Sequence, residues 1–181
     1  MKIIAGGYKG RIIEMPDGIR PTSDKVRESL FEILKNRIEG ASFLDLYSGS
    51  GAIGIEALSR GAKKVVFVDN NRNCIPVLKA NLAKLGVSES SYDIYSKDCL
   101  NSLRALQRAG GYFDIVFLDP PYYMGLAKNT LIELAGCDIL TPNALVIAEV
   151  FKKEGLPEES GVFKKIRSSK YGDTLLEFFR K

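Results

Sequence analysis

Short apolar runs and longer amphipathic segments alternate along most of this chain of 181 residues. The apolar runs lie at 43–47, 65–68, 92–95, 115–118 and 145–150. Their length and their β-branched and aromatic content are typical of buried strands. Three segments between them, ending near residues 60, 85 and 108, repeat apolar positions every three to four residues, which predicts helices. Strands alternating with helices predict a parallel sheet covered by helices.

Both ends of the chain depart from this alternation. Near the amino terminus, apolar runs at 2–5 and 11–15 enclose three glycines and predict a short β-hairpin. A helix follows over 22–38, with Thr22, Ser23 or Asp24 as its cap and Gly40 as its end. At the carboxyl terminus, runs at 162–166 and 174–179 flank a turn near Gly172, as in an antiparallel hairpin.

The length of the chain favours a single domain, with 1–20 as a hairpin extension and 21–181 as the core. The longest apolar stretch, 144–148, is far shorter than the ~18 residues a membrane span needs, so we expect a cytoplasmic protein without a membrane partner. The sequence contains no histidine and three scattered cysteines. We therefore expect no Ser-His-Asp or Cys-His chemistry, no disulfide framework and no metal site. The net charge of +4 fits a polyanionic partner but does not require one.

A glycine-rich segment opens the helix that follows the first strand of the alternating series. Gly49, Gly51 and Gly54 have the spacing GxGxxG, with Ser50 between the first two. At a strand-to-helix turn this spacing lets the backbone approach a nucleotide-like ligand closely. A tight turn that merely uses the freedom of glycine is the alternative interpretation. The position at the carboxyl edge of a parallel sheet favours a ligand site.

Aspartates follow or lie within the neighbouring strands. Asp69 ends the second strand about 20 residues after the loop, where a carboxylate can bind ribose hydroxyls. Asp98, beside Cys99, ends the third strand and could meet an adenine amino group. Both aspartates could instead cap the helices that follow them. Asp45, inside the first strand, suits a ligand carrying an ammonium and a sulfonium and would repel a pyrophosphate.

The fourth predicted strand ends in Asp119-Pro120-Pro121-Tyr122. The prolines fix the backbone and leave carbonyl oxygens without neighbouring N–H donors. A planar base with an NH₂ group could donate one hydrogen to Asp119 and one to the Pro120 carbonyl, while Tyr122 stacks on the ring. A proline-rich strand exit with an incidental aspartate is the alternative. Methylation of a pyrimidine carbon fits poorly, because no cysteine lies near this turn.

Taken together, these motifs resemble those of the bacterial 16S ribosomal RNA guanine-N2 methyltransferases, the small-subunit methyltransferase D family. The resemblance covers essentially the whole chain. Its parts are Ile4-Ala5-Gly6, Lys9-Gly10-Arg11, Arg20-Pro21-Thr22, Asp24, Val26-Arg27-Glu28, Leu30-Phe31, and the segments 44–54, 56–61, 119–122 and 171–174.

The resemblance implies a class I S-adenosylmethionine-dependent methyltransferase fold. This fold is Rossmann-like, with a seven-stranded, mostly parallel sheet that ends in an antiparallel hairpin. The implied roles are methionine binding by Asp45 and the loop 49–51, ribose binding by Asp69 and its neighbour Asn70, and adenine binding by Asp98 and Cys99. Asp119, Pro120 and Tyr122 would hold the target base.

The same resemblance implies an extra motif that closes over the cofactor, here Thr22 and Arg27. A helix cap and a solvated charge explain these two residues nearly as well. The expected partner is 16S ribosomal RNA or the assembling small subunit, bound by a monomer. A guanine in folded RNA must swing out of its stack, so a phosphate-binding surface is required. Its candidate residues are Lys2, Lys9, Arg11, Arg20 and Tyr123.

Three other functions stay open from the residues alone. Adenine-N6 methylation of DNA or RNA would use the same Asp-Pro-Pro-Tyr turn, and only the family resemblance favours guanine. A nicotinamide-dependent oxidoreductase would share the glycine loop, although Asp45 speaks against a pyrophosphate. A non-catalytic RNA-binding module with the same shape would bind RNA without turnover, and the intact Asp119 speaks against it.

Overall fold

The computed structural model describes residues 1–19 and 22–181, and its centre is one mixed β-sheet. The strands are β1 (Ser42–Leu46), β2 (Lys64–Val68), β3 (Tyr92–Tyr95), β4 (Phe113–Leu118), β5 (Leu140–Phe151), β6 (Glu159–Ser160), β7 (Phe163–Tyr171) and β8 (Thr174–Arg180). Their order in the sheet is β3-β2-β1-β4-β5-β8-β7-β6. The α-helices are α1 (Asp24–Leu34), α2 (Ala52–Ser59), α3 (Cys74–Leu85), α4 (Cys99–Arg108) and α5 (Leu126–Ala135). A short 3₁₀ helix spans Glu89–Ser91.

The first five strands are parallel, and β8 enters antiparallel between β5 and β7. Helices cover both faces of the sheet, as the alternation of the sequence predicts. On one face α1, α2 and α3 pack on Phe43, Phe67 and Phe117. On the other face α4 and α5 pack on Leu44 and Val116. The alternating side chains of the central strands are therefore buried on both sides.

The amino-terminal residues pair as the predicted hairpin, but only one bridge, Lys2 with Ile12, has strand geometry. Backbone bonds join Ile3 N to Arg11 O at 2.9 Å and Ile13 N to Met1 O at 2.8 Å. The Glu56 carboxylate on α2, fully buried, accepts the backbone N–H groups of Ile4 and Ala5 at 2.8 and 3.0 Å. This carboxylate ties the extension to the helix that follows the glycine loop.

Three features differ from the sequence prediction. The helix α1 ends at Leu34, and residues up to Gly40 form turns, although Ile38 is still buried. The sheet contains eight strands, not seven, because the loop before β7 adds the two-residue strand β6. The segment between β4 and β5, for which the sequence predicts no element, contains the helix α5. The buried residues of this helix, Ala127, Thr130, Leu131 and Leu134, have helical spacing.

Among the described residues, no helix has the length and apolar content to cross a membrane.

Gly54 allows α2 to pack closely on the sheet. A β-carbon at this position would lie 2.2 Å from Cε1 of Phe67 and 2.8 Å from Cγ1 of Val65, both fully buried residues. We expect Gly54→Ala to destabilise the protein by about 1–3 kcal/mol through overpacking, even though alanine favours helix. Thermal unfolding should show a melting temperature several degrees lower.

Gly111→Ala is the matched control, because its β-carbon would meet only ordinary contacts of 3.7 Å or more. An unchanged or raised melting temperature for Gly54→Ala would contradict the close packing of α2 on β2.

Candidate active site

Three parallel strands bring the predicted acidic residues to one edge of the sheet. Leu46 in β1 is in register with Val68 in β2 and with Leu118 in β4. The residues that follow, Tyr47, Asp69 and Asp119, therefore lie in one row at the carboxyl ends of the strands. Because neighbouring strands are about 4.8 Å apart, Asp69 and Asp119 flank Tyr47 at a separation of roughly 10 Å.

Backbone N–H groups of the glycine loop hold it against this row and close the loop on itself. Gly49 N–H donates to Asp69 Oδ2 at 2.7 Å, and Gly51 N–H donates to the Ser48 carbonyl at 2.7 Å. Tyr47 has a φ of 63°, in the left-handed region that non-glycine residues adopt only when the surrounding structure holds them there. A β-carbon on Gly49 would meet nothing within 4 Å, so the space beside Gly49 is open.

Asp45 lies in the middle of β1 and is only 1% exposed. Its Oδ2 accepts the Gly54 N–H at 2.9 Å, which links the strand to the first turn of α2. Burial raises the pKa of Asp45 to about 8, and the charges of Asp119 and Asp69 add to that shift. The Gly54 N–H opposes the shift only in part. The carboxylate is thus desolvated and surrounded by charges of its own sign.

Asp119 follows β4 directly and accepts a hydrogen bond from the Thr22 hydroxyl at 3.2 Å. Burial raises the pKa of Asp119 to about 7, and the Thr22 bond opposes this. Over residues 1–19 and 22–181, no lysine or arginine forms an ion pair with Asp45, Asp69 or Asp119. The edge therefore gathers three carboxyl groups that no described lysine or arginine neutralises, and two of them ionise only near or above neutral pH.

Aromatic rings continue the edge beyond Asp119. The Tyr122 hydroxyl lies 3.3 Å from Thr174 Oγ1 at the start of β8. The Tyr122 ring centroid is 5.8 Å from that of Phe151, and the Tyr123 centroid is 5.2 Å from Phe151. Tyr123 is 70% exposed and has a φ of 65°. The turn thus presents one half-buried and one exposed ring next to the carboxylate.

Asp98 caps α4, as the alternative interpretation of the sequence predicted. Its Oδ1 accepts the Asn101 N–H at 2.9 Å, and this bond lowers the pKa of Asp98. The Cys99 thiol is buried, which raises its pKa to about 11 and keeps it protonated. Asp98 and Asn70 are both exposed at this edge, so a role in adenine and ribose binding stays a prediction.

Arg27 is fully buried, not a solvated charge. Its Nη2 donates to the Lys2 carbonyl at 2.8 Å and to Asp24 at 2.7 Å, and its Nη1 lies 3.6 Å from Glu56 Oε2. These contacts give Arg27 a structural role between α1, α2 and the amino-terminal extension. Contact of Arg27 with the cofactor stays a prediction, whereas Thr22 does reach the site through Asp119.

The predicted RNA-binding residues are spread over the molecule. Arg11 donates to the carbonyls of Lys84 and Leu85, at the carboxyl end of α3. Lys9 lies in the hairpin turn close to Gly7, whose N–H donates to the Ser59 carbonyl at the end of α2. Both helices run from the carboxyl edge of the sheet to its amino edge, so Lys9 and Arg11 lie at the opposite edge from Asp119. Lys2 is exposed, and Arg20 lies outside the described residues.

The sequence motifs assign no role to three residues at this edge, Tyr47, Phe151 and Thr174. Tyr47 supplies the strained corner before the loop, and its hydroxyl lies 2.7 Å from Thr130 Oγ1 in α5. Phe151 directly follows the predicted strand 145–150, so its place at the edge could have been inferred. The bond of Thr174 to Tyr122 depends on β8 pairing with β5, which no local pattern reveals.

These features fit a cationic nucleoside cofactor. Asp69 offers carboxylate oxygens beside the open space at Gly49, and the desolvated Asp45 and Asp119 favour a positively charged ligand. The Ser48 hydroxyl is buried without a hydrogen-bond partner among the described residues, next to the loop. A ligand with an ammonium, a sulfonium and ribose hydroxyls would satisfy this set of groups, whereas a pyrophosphate would be repelled.

The parallel sheet, the antiparallel β8 and the acidic edge together define a class I methyltransferase fold, as the sequence predicts. A solved structure from Escherichia coli, "Putative methyltransferase yhhF", matches 100% of this chain and 97% of its own at 34% identity, with a TM-score of 0.88.

The family model "Conserved hypothetical protein 95" matches residues 1–180, and this chain belongs to that family. The protein named Ribosomal RNA small subunit methyltransferase D from Haemophilus influenzae is 39% identical over 158 residues, 86% of this chain and 81% of its own. The protein of the same name from Escherichia coli strain K12 is 38% identical over 159 residues, 87% and 78% of the two chains. The resemblance seen in the motifs is thereby confirmed.

Replacement of Asp45 by asparagine tests the desolvated carboxylate. In the folded protein the pKa is raised above that of the unfolded chain, so the folded state binds more protons between about pH 4 and 8. The stability contributed by protonated Asp45 is therefore lost as the pH rises through about 8. We expect Asp45→Asn to raise the melting temperature of the ligand-free protein at pH 8.5, by about 3 °C or more, and to change it less at pH 5.

Asp17→Asn serves as the control, since this carboxyl group is exposed. A drop in melting temperature for Asp45→Asn at pH 8.5 would mean that the charged form of Asp45 stabilises the fold, contrary to the structure.

Proposed function

We propose that this protein transfers a methyl group from S-adenosylmethionine to the exocyclic N2 amino group of a guanine in 16S ribosomal RNA. The position of the Asp-Pro-Pro-Tyr turn supports this proposal. The Asp119 carboxylate and the two prolines that follow lie at the end of β4, in one row with Asp69 and next to the desolvated Asp45. A cofactor site and a base site thus share one edge of the sheet.

The names of the relatives support ribosomal RNA as the substrate. Two proteins at 38% and 39% identity are called ribosomal RNA small subunit methyltransferase D. The finer statements, guanine N2 as the acceptor and the small subunit or its RNA as the partner of a monomer, rest on the family resemblance of the motifs. Adenine-N6 methylation is the alternative, because the same turn can hold either amine.

The cofactor would be held by residues of the first three strand ends. Asp69 would accept bonds from the ribose hydroxyls, while Asp45 and the loop residues Gly49, Ser50 and Gly51 would border the methionine part. Asp98 would meet the adenine. When bound, S-adenosylmethionine supplies an activated methyl group.

The Asp-Pro-Pro-Tyr turn would position the target base. The amine donates one hydrogen to Asp119 and one to the Pro120 carbonyl, so its nitrogen lone pair points away from both acceptors. Tyr122 stacks on the ring, and the Thr22 hydroxyl fixes one oxygen of Asp119 at 3.2 Å. Orientation of this kind can remove roughly 7–11 kcal/mol from a barrier without a covalent intermediate. Asp119 also stabilises the positive charge that develops on nitrogen.

Identification of the methylated nucleoside tests the proposal. Purified protein is incubated with methyl-labelled S-adenosylmethionine and unmethylated small subunits or their RNA, and the digest is analysed by mass spectrometry. We expect labelled N2-methylguanosine. Labelled N6-methyladenosine would support the alternative, and the absence of any methylated nucleoside would overturn both.

Asp119→Ala separates catalysis from cofactor binding. We expect turnover to fall by at least about 10²-fold, the usual loss when one charge-stabilising group is removed. Binding of S-adenosylmethionine, measured by calorimetry at pH 6, should remain largely intact, because Asp119 is largely protonated there in the wild type and the cofactor contacts are assigned to other residues. The exposed Asp138, at the other edge of the sheet, gives the control Asp138→Ala. Near-normal turnover of the Asp119 variant would contradict the assigned role.

The raised pKa values predict pH-dependent cofactor affinity. Asp45, with a pKa near 8, and Asp119, with a pKa near 7, carry protons at lower pH, and a cationic ligand favours their ionised forms. Binding should therefore release protons, and affinity for S-adenosylmethionine should rise between pH 6 and pH 8.5 as the carboxyl groups ionise. S-adenosylhomocysteine lacks the sulfonium charge and should show a weaker rise. An equal pH dependence for both ligands would argue against carboxylates beside the sulfur.

A further inference from the structure

The carboxyl edge of the sheet continues past Asp119 into a surface that the proposed catalytic step does not use. Because β8 runs antiparallel to β5, Thr174 pairs with Phe151, where β5 ends. The β7–β8 turn at Gly172 and the segment 152–157 after β5 therefore lie at the same edge as the Asp-Pro-Pro-Tyr turn. We call the surface formed by Tyr123, Met124, Phe151, Lys128, Lys153 and Lys170 the β5 rim.

The apolar part of the β5 rim is exposed and held in place. Tyr123 and Met124 are 70% and 64% exposed, directly after the catalytic turn. The Tyr123 N–H donates to Glu154 Oε2 at 2.7 Å, which fixes the backbone at a φ of 65°. A strained backbone that presents an aromatic ring to solvent indicates a binding role, since most of the ring stays exposed despite its contact with Phe151. Stacking on a nucleobase would use such a ring.

A cavity of about 230 Å³ lies beside the Asp-Pro-Pro-Tyr turn, with Tyr122 but not Tyr123 in its lining. Its walls include Pro120, Tyr122, Leu126, Leu156 and Pro157, and Lys128 lines the same opening. The walls are mainly apolar, with Glu149 and Glu154 as their acidic members, and the volume is sufficient for one planar base. The cavity adjoins the turn that would hold the target base, so a nucleotide next to the target in sequence can reach it.

Lysines on the β5 rim supply charge for phosphates. Lys128, Lys153 and Lys170 are exposed, and none of them forms an ion pair with another described residue. The nearby Lys152 differs, because it pairs with Asp173 at 2.6 Å. The Glu154 carboxylate is engaged by the Tyr123 N–H. The rim thus combines free positive charge with stacking surface, the combination that binds single-stranded nucleic acid.

On the basis of the proposed function, we infer that the RNA strand flanking the target base lies across the β5 rim. A neighbouring base occupies the cavity next to the Asp-Pro-Pro-Tyr turn, and Lys153 and Lys170 contact the phosphates. This assignment places RNA on the same edge as Asp119. The basic residues Lys9 and Arg11 lie at the other edge, about one helix length away, and do not contact this part of the substrate.

A double charge reversal tests the rim. Lys153→Glu with Lys170→Glu is compared with Lys63→Glu with Arg108→Glu, exposed residues just before β2 and at the end of α4, at the amino edge. For the rim variant we expect KM for the RNA to rise at least about tenfold with kcat nearly unchanged. The slope of log affinity against log salt should fall by about 0.7–0.9 for each lost phosphate contact. The amino-edge variant should match the wild type in both measurements.

Binding of unmethylated small-subunit RNA at several salt concentrations is measured alongside turnover, so the inference is tested even if no methylated nucleoside forms. S-adenosylhomocysteine affinity and melting temperature report whether each variant is folded. Equal RNA affinity and salt slope for the rim variant and the wild type would overturn the assignment. Loss of RNA binding in the amino-edge variant alone would overturn it as well and would place the RNA on the opposite edge.

Discussion

The binding site of this protein depends on carboxyl groups that are buried in or at the ends of neighbouring parallel strands. Asp45 is held away from water, Asp119 is partly buried, and no described lysine or arginine neutralises either carboxyl group. Such groups lower the stability of the ligand-free protein and persist only where a ligand gains from them. A cation that fits between them therefore binds at a place that the fold has prepared.

The remainder of the molecule fixes the position of these carboxylates. Glu56 on α2 binds the amino-terminal extension and Arg27, while Gly54 lets the same helix pack on β2. The helix in turn holds the glycine loop, whose Gly49 N–H reaches Asp69. On the other side, Thr22 orients Asp119, and Phe151 supports the two tyrosines of the turn. The cofactor half and the base half of the site are thus built by separate segments that meet along β1 and β4.

Local patterns in the sequence were sufficient to predict the alternating core and the acidic edge, because buried strands and amphipathic helices carry their own periodicity. The helix α5 also has helical spacing, but it follows a proline-rich turn and has as its N-cap Gly125, which offers no side-chain capping signal. The position of Lys9 and Arg11 could not be predicted, since it depends on how the extension docks on α2 and α3. The left-handed backbone of Tyr47 and the pairing of Thr174 with Tyr122 likewise arise from tertiary contacts.

A crystal structure with S-adenosylhomocysteine bound would show directly whether the ligand lies on the acidic edge of the sheet. We expect ribose hydroxyls on Asp69, the sulfur facing the Asp119 turn, and the amino-acid part along Gly49 near Asp45. A ligand bound elsewhere, or a sulfur that points away from the Asp-Pro-Pro-Tyr turn, would contradict the proposed site.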